Sequence, residues 1–304
     1  MKKIDLIGDI HGHADELIAL LKKLGYEKEN GVFTHEYRTA LFVGDYIDRG
    51  PKIRETLHIV RPMVENGHAI ALMGNHEYNA LCFHQEEREG GHLRRHSIKN
   101  ILQHYETLQQ FKNRQDEYDN HLEWFKTLPL FYENENFRAV HACWDPVHIK
   151  YLKGRLPDAR LTDELLHESV NKDSALHKAV EVTLKGQELS LPSGLTFQDK
   201  DGFFRTEIRS KWWENPVNAT YSSISVHKDD QLPEIVIEHN NGLDYYSENE
   251  KPVFFGHYWL KGTPELQKMN VCCLDYSVAK QGELVAYTFK GERTLSNSNF
   301  TIAR

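Results

Sequence analysis

Three short segments of this chain carry side chains able to hold a cation: Gly8-Asp9-Ile10-His11, Gly44-Asp45 and Gly74-Asn75. Each sets a glycine directly before an acidic or amide residue. The glycine lets the backbone turn sharply and leaves room for a ligand. Asp9 and His11 stand two apart, so in extended chain both point the same way. One hard oxygen and one borderline nitrogen aimed at a point make a sensible pair of metal ligands. Asp45 has two oxygens and so can bridge two cations, while Asn75 offers a neutral oxygen. His141 and His257 follow two further apolar runs, residues 137–140 and 253–256, and repeat the same placement. Two divalent ions about 3.5–4 Å apart can acidify a shared water and clamp both oxygens of an in-line displacement. The chemistry on offer is therefore metal-assisted hydrolysis.

The elements that must position these residues are readable in the first 80 positions. Residues 3–7, 40–43 and 68–73 read as strands, each ending at a glycine. Residues 14–24 carry leucine and isoleucine at helical spacing, with Asp15 suited to the positive end of the helix dipole. Pro51 opens a second helix to about residue 66, which Pro62 could kink. Strand, helix, strand, helix, strand at this spacing predicts βαβ units and a largely parallel sheet, whose carboxyl ends are where such sheets place their sites. Residues 84–127 turn polar and helical, with Gly90-Gly91 breaking them into two helical pieces. A strand pair is expected over 128–140 around a turn at 134–136, then mostly helix over 146–184. Residues 185–250 are the least regular and read as a cap with short strands. Strand character returns at 253–255, 271–274 and 284–289. The whole, 1–304, reads as one domain with a helical insertion at about 84–127 and a cap-like insertion at about 147–250.

Composition bounds the function. The chain has 304 residues with a formal net charge of −8. That acidity argues against bulk electrostatic attachment to nucleic acid or to an anionic membrane, and no run approaches the ~20 apolar residues that span a bilayer. Four cysteines, with no Cys-x-x-Cys pair, do not make a disulfide scaffold, so a reducing cytoplasm is the default setting. Cys272-Cys273 sits in a strand, with its thiols on opposite faces as packing residues. Eighteen histidines are left unexplained by any of this.

The segments Gly8-Asp9-Ile10-His11-Gly12-His13, Gly44-Asp45-Tyr46-Ile47-Asp48-Arg49-Gly50, Gly74-Asn75-His76-Glu77, His141-Ala142 and Gly256-His257 together resemble the ordered signature of the calcineurin-like metallophosphoesterases. The branch they resemble is that of the serine/threonine phosphoprotein phosphatases and bacterial diadenosine tetraphosphatases. The resemblance implies an α/β fold, a four-layer sandwich of two mixed β-sheets flanked by helices. It assigns Asp9, His11 and Asp45 to one metal, and Asp45, Asn75, His141 and His257 to a second. Many relatives have a further histidine two positions after the last one; here that position is Trp259. His76 would be the general acid, with Asp48 orienting its imidazole and Arg49 gripping the phosphate. Family habit favours Mn, with Fe, Zn, Co or Ni compatible with the mixed nitrogen and oxygen ligands. The implied step is attack of a metal-bound hydroxide on phosphorus, with a histidine near its ordinary pKa protonating the leaving oxygen.

Other candidates come from outside these motifs. Alternation in the segment Phe203-Phe204-Arg205-Thr206-Glu207-Ile208-Arg209 puts Arg205 and Arg209 on one face, a second basic contribution to substrate binding. An internally paired insertion strand is the competing reading. Trp212 and Trp213 could stack on a base or pack the cap. His92, Arg94, Arg95 and His96 form a basic cluster that could meet phosphate, with a solvated helix face the favoured reading. Arg49 could instead pair with Asp48 or Glu77, and His13 could support the site or cap a helix. The substrate is a phosphorylated small molecule, leaning to a dinucleoside polyphosphate, or a phosphoprotein; a silent phosphate- or partner-binding module is the alternative of another class. Nucleic acid and membrane are not expected partners.

Overall fold

The computed structural model describes residues 3–198, 204–227, 232–237 and 245–303. Two β-sheets stack face to face. In the first, strand Lys3–Ile7 lies between Arg38–Phe42, which it pairs in parallel, and Glu283–Phe289, which it pairs antiparallel. Ala69–Ala71 extends the parallel side, while Asp275–Tyr276 and Phe300–Ile302 both pair with Glu283–Phe289. In the second sheet Val253–Phe255 lies between Val271–Cys273 and Arg138–Val140, all parallel, and Phe131–Glu133 closes the edge antiparallel. Both sheets are therefore mixed. The hairpin between the last two strands is closed by Asn134, whose Oδ1 accepts from the amides of Asn136 and Phe137 at 2.8 and 2.9 Å.

Period-two alternation sorts the strand residues into layers. Leu6, Leu41, Leu72, Phe254, Cys272 and Tyr287 meet between the sheets. Their neighbours Ile7, Phe42, Ala71, Phe255 and Cys273 face outward onto helices. The two adjacent thiols thus enter different cores, as their strand placement requires. On the outside of the first sheet lie helices Ala14–Lys23 and Ile53–Glu65, each burying one stripe, Leu17, Leu20 and Leu21 in the first and Leu57, Val60 and Met63 in the second. Asp15 and Glu16 in the first turn and Lys22 and Lys23 in the last match the dipole of the first helix. Pro62 sits in the last turn of the second without ending it. Helices Pro146–Arg155 and Ala175–Lys185 pack on the second sheet through Leu152, Leu176, Ala179 and Val180. The result is four layers, helix–sheet–sheet–helix.

The segment 84–127 differs from the sequence reading in one respect. Gly90-Gly91 does not divide the two helical pieces of this segment: it lies in an irregular stretch over 85–97 between helices Asn75–His84 and Ile98–Gln110, and the two pieces, Ile98–Gln110 and Gln115–Lys126, are divided at 111–114. Both glycines have positive φ, 99° and 87°, and the amide of Glu87 closes on the carbonyl of Gly91. Left-handed backbone ends a helix rather than kinking it. Arg94 and its neighbours therefore lie on a loop and not on a solvated helix face. Farther along the chain, Leu189, Leu191, Ile208, Tyr221 and Ile224 form a small separate core. Phe203 lies outside the described residues.

Candidate metal centre

The strand-end loops bring Asp9, His11, Asp45, Asn75, His141 and His257 to one point. Asp45 is at the middle. Its Oδ2 lies 3.5 Å from His141 Nε2, 3.6 Å from His11 Nε2 and 3.9 Å from His76 Nε2. Asn75 Oδ1 faces His257 Nδ1 at 2.7 Å and His141 Nε2 at 3.1 Å. Asp9 Oδ2 accepts from the His257 amide at 3.0 Å. All of these groups are buried.

The backbone is bent to make this possible. His11, Asp45, Asp48, Arg49, His257 and Trp259 all have positive φ, between 45° and 74°. Each such non-glycine residue costs on the order of 1–2 kcal/mol, and the strain is concentrated where the side chains converge. Two glycines are there for room. A Cβ on Gly74 would sit 2.2 Å from Asp45 Oδ1, and one on Gly256 would sit 1.9 Å from Asp9 Oδ1.

Glu77 holds the two central loops together. Its buried carboxylate accepts from the amides of Asp45 (2.9 Å), Tyr46 (2.8 Å), Ile47 (3.3 Å) and Gly74 (3.0 Å). Burial and the Asp45 charge push Glu77 up to about 7, while the amides oppose them. The helix beginning at Asn75 also aims its first amides at the site, and His76 N–H donates to Asp45 Oδ1 at 3.0 Å.

Carboxylates dominate the charge. Burial, Asp275 and Asp45 raise Asp9 well above the ordinary carboxyl value. Burial disfavours protonated His141, yet Asp45 and Asp9 outweigh it and lift the imidazole to about 10. Burial takes His11 down to about 3. The decisive observation is stereochemical. Asp9 Oδ1, His11 Nε2 and His257 Nε2 are fully buried and have no hydrogen-bond partner. Three unsatisfied donor atoms around one carboxylate are costly in a native interior unless they ligate something. Two sets of ligand atoms, one on His11, Asp45 and His76 and one on Asp45, His141 and His257, lie within 4.8 Å of each other. The donor set fits divalent cations of the Mn–Zn series.

Beside the cluster, His76 Nδ1 donates to Asp48 Oδ2 at 2.5 Å. Burial opposes a charge on His76, but Asp45 and Asp48 more than compensate and raise it above its ordinary value. Asp48 is held below the usual carboxylate range, because hydrogen bonds from His104 and His76 overcome its burial. Arg49 does not form an ion pair with Asp48 or Glu77. Its guanidinium lies over the Trp259 ring at 4.2 Å and reaches His76 Nε2 at 3.4 Å, while Lys280 covers the same ring at 4.4 Å. The indole at position 259 thus fixes an arginine at the edge of the cluster. Trp259 is itself anchored by its amide to Asp275 Oδ2 at 2.7 Å. His13 Nδ1 bonds the carbonyl of His11 at 2.8 Å and makes no side-chain helix cap, so it braces the ligand loop.

A cleft of about 410 Å³ opens above the cluster, bounded by Arg49, Arg94, Lys99, Lys185, Arg205 and Arg209. Arg205 and Arg209 do come to the site. Trp212 and Trp213 do not: both are buried on Phe255, and Trp212 Nε1 donates to the Ala142 carbonyl. Sequence reasoning named Glu77 only as an alternative partner of Arg49, gave His104, Thr107 and Asp275 no role at the site, and placed Arg94 on a helix.

A sandwich of two mixed sheets whose strand-end loops gather carboxylates and imidazoles in this way is the architecture of a metallophosphoesterase. The chain belongs to the calcineurin-like phosphoesterase family, whose model matches residues 2–258. It is 32% identical over 141 residues to the asymmetrical bis(5'-nucleosyl)-tetraphosphatase PrpE of Oceanobacillus iheyensis, a match covering 46% of this chain and 55% of that protein. The aligned part therefore spans about half the length of that relative. A symmetrical bis(5'-nucleosyl)-tetraphosphatase of Neisseria meningitidis serogroup A is 27% identical over 304 residues, covering 94% of this chain and 92% of that one. A solved serine/threonine phosphatase from Saccharomyces cerevisiae superposes with a TM-score of 0.49 at 15% identity, covering 99% of this chain and 78% of that one.

Proposed function

We propose that this chain is a two-metal phosphohydrolase acting on a polyphosphate ester, a dinucleoside polyphosphate being the leading candidate. The observation that carries the reading is the group of cations bounding the cleft directly beside the ligand cluster, Arg49, Arg94, Lys99 and Arg205, together with Lys185 and Arg209, which are paired to Glu181 and Glu188. A single phosphoryl group needs one or two such contacts; several along one cleft suit a chain of phosphates. The relatives named above as tetraphosphatases point the same way.

In this reading Asp9, His11 and Asp45 hold one divalent ion, and Asp45, Asn75, His141 and His257 the second, with Mn the first ion to try. When bound, the ions supply Lewis-acid charge to the phosphoryl oxygens and acidify a water. Arg49, pinned on Trp259, forks the phosphoryl oxygens, and Arg94, Arg205 and Arg209 engage the phosphates beyond. His76 delivers a proton from Nε2 to the leaving oxygen, its Nδ1–H committed to Asp48. We read residues 84–127 and 147–250 as insertions into one catalytic domain. Four buried free thiols are in keeping with a reducing, cytoplasmic setting.

The test offers the protein diadenosine tetraphosphate, a phosphoserine peptide and p-nitrophenyl phosphate, with Mn²⁺ and with chelator. Metal-dependent cleavage with the highest kcat/KM on the tetraphosphate is the expected result. A preference for the phosphopeptide would make it a protein phosphatase. No metal-dependent turnover on any of the three would leave only a binding module.

A further inference from the structure

Asp48 receives more than the one histidine that the proposed chemistry requires. Its Oδ2 takes the His76 Nδ1–H at 2.5 Å. Its Oδ1 takes the Nδ1–H of a second imidazole, His104, at 2.7 Å, and the hydroxyl of Thr107 at 2.6 Å. The Asp48 amide donates back to Thr107 Oγ1 at 3.0 Å. His104 and Thr107 stand three apart on helix Ile98–Gln110, so they share a face. That helix is far from Asp48 in sequence and belongs to the 84–127 insertion.

The His104 ring is fixed at both nitrogens. Its Nε2 accepts from the Tyr118 hydroxyl at 2.8 Å, which leaves the proton on Nδ1, facing Asp48. Tyr118 is locked in turn by stacking on Phe111, with ring centroids 4.7 Å apart. His104, Tyr118 and Thr107 are all buried. The line Tyr118–His104–Asp48–His76 is therefore a continuous buried hydrogen-bond chain that ends at the edge of the cleft. An imidazole with no purpose beyond filling space would incur the cost of burying two polar nitrogens, and an apolar side chain would fill the same space without it.

We infer that His104 is a positioning residue, fixing the rotation of the Asp48 carboxylate so that its second oxygen stays committed to His76. The inference rests on the reading of His76 as the acid. Rotation about the terminal bond of an aspartate is soft and nearly two-fold. Donors on Oδ1 remove that freedom, and with it the freedom of the His76 ring to turn its Nε2 away from the leaving oxygen. The 84–127 insertion thereby acquires a role: it supplies the outer half of the relay.

The test uses the whole chain with Mn²⁺ and a series of aryl phosphates whose phenols rise in pKa. His104→Phe should lower kcat about 10–100-fold on the poorest leaving groups, the usual effect of losing an outer orienting partner. It should leave p-nitrophenyl phosphate and KM nearly unchanged. His104→Asn, which keeps an N–H where Nδ1 was, should recover most of the loss. An even loss across the series, or a slope equal to wild type, would overturn the inference. A low-field proton spectrum of the protein loaded with diamagnetic Zn²⁺ in place of Mn²⁺ reads the same point without turnover. Among the N–H signals of the buried imidazoles, the two bonded to Asp48 are identified by their loss in His76→Ala and His104→Phe. Loss of the His104 signal must move the one from His76, and an unmoved His76 signal would sink the idea even in a protein that cleaves nothing. Should the Phe variant fail to fold, His104→Gln, whose amide cannot reach Asp48 in the same geometry, takes its place beside His104→Asn. Wild type failing to turn over any phosphate ester would instead overturn the phosphohydrolase reading.

Discussion

Among the described residues two clusters of histidine and carboxylate have the composition of a metal site, and only one of them has the physics of one. At the strand ends, Asp9, Asp45 and their histidines are buried on strained backbone, and three ligand atoms lack partners. On the outer helices His58, Glu117 and His121 also bring ligand atoms within 4.8 Å. There, however, Arg54 already forks Glu117 with two 3.0 Å bonds, and His58 Nε2 shares Oε1 at 3.1 Å. His58 is exposed and Glu117 partly so. A carboxylate answered by a guanidinium has little left for a cation, since the cation must first displace the arginine. His121 Nδ1 is unpartnered, but burial, reinforced by the nearby Arg61 charge, holds the imidazole down at about 4. The difference teaches that the counter-charge around a cluster, more than its residue types, separates a metal centre from an ion-pair network.

The strongest way to break the comparison is to remove the bridge. Asp45→Ala should abolish tight binding of at least one ion and lower kcat/KM by ~10³-fold or more, at or beyond the ~10²–10³-fold that losing one electrostatic stabiliser costs. Ion content by elemental analysis and turnover would check it. Retention of both ions with near-normal rate would mean that the strand-end cluster is not the centre. Next in size is His76→Ala. It should cost ~10²–10⁴-fold on poor leaving groups and far less on p-nitrophenyl phosphate, since a good leaving group needs no proton. Ion content should stay at two per chain, which separates the acid from the ligands.

How much of this was legible in the sequence follows from where each contact comes from. Asp9, Asp45 and Asn75 follow glycines at the ends of apolar strands, so period, turn residue and ligand type lie within a few positions of each other. The four-layer arrangement came from the resemblance, with the βαβ start as local support. Glu77 sits within a quoted motif, yet three of its four amide partners lie 30 to 32 residues away, and no spacing announces them. His104 reaches Asp48 across 56 positions from an amphipathic helix where it looks like any other buried-face residue. The reading of 85–97 failed for a local reason. Its charged residues favour helix, but Gly90-Gly91 adopts left-handed backbone, and the loop that results carries Arg94 to the cleft. The trace available beforehand was the pair of glycines, which demanded an end to the helix rather than a break within it.

Arg94 sharpens the comparison from the side of the cations. Arg54 is neutralised by a carboxylate, whereas Arg94 is held by two amide oxygens, Asn79 Oδ1 at 2.8 Å and Gln103 Oε1 at 2.7 Å. An amide orients a guanidinium without cancelling its charge, so Arg94 remains available to an anion. Arg94→Ala should raise KM for a dinucleoside polyphosphate about tenfold, the loss of one charge-assisted hydrogen bond. It should change kcat, and the kinetics on p-nitrophenyl phosphate, little. An equal effect on both substrates would place Arg94 on the reacting phosphoryl group instead.

The smallest effects are expected at the helix-surface cluster. Neither His58→Ala nor His121→Ala should alter the ion count or the rate, measured by elemental analysis and turnover, and a third ion lost with His58→Ala would break the comparison. Arg54→Ala should cost no more than ~1 kcal/mol of stability, because the pair it makes with Glu117 is partly solvated and screened. The pH dependence has a definite sign. Burial tends to raise Glu117, but Arg54 outweighs it and holds the carboxyl below its ordinary 4.5. A carboxylate depressed in the folded state stabilises the fold fully above its unfolded pKa, and that contribution disappears as pH falls through the depressed value. Between neutral pH and about 5 the melting temperatures of wild type and Arg54→Ala should therefore differ by a constant amount, and below that range they should converge. Divergence on acidification would mean that the arginine is not what neutralises Glu117, and the helix-surface cluster would again be open to a cation.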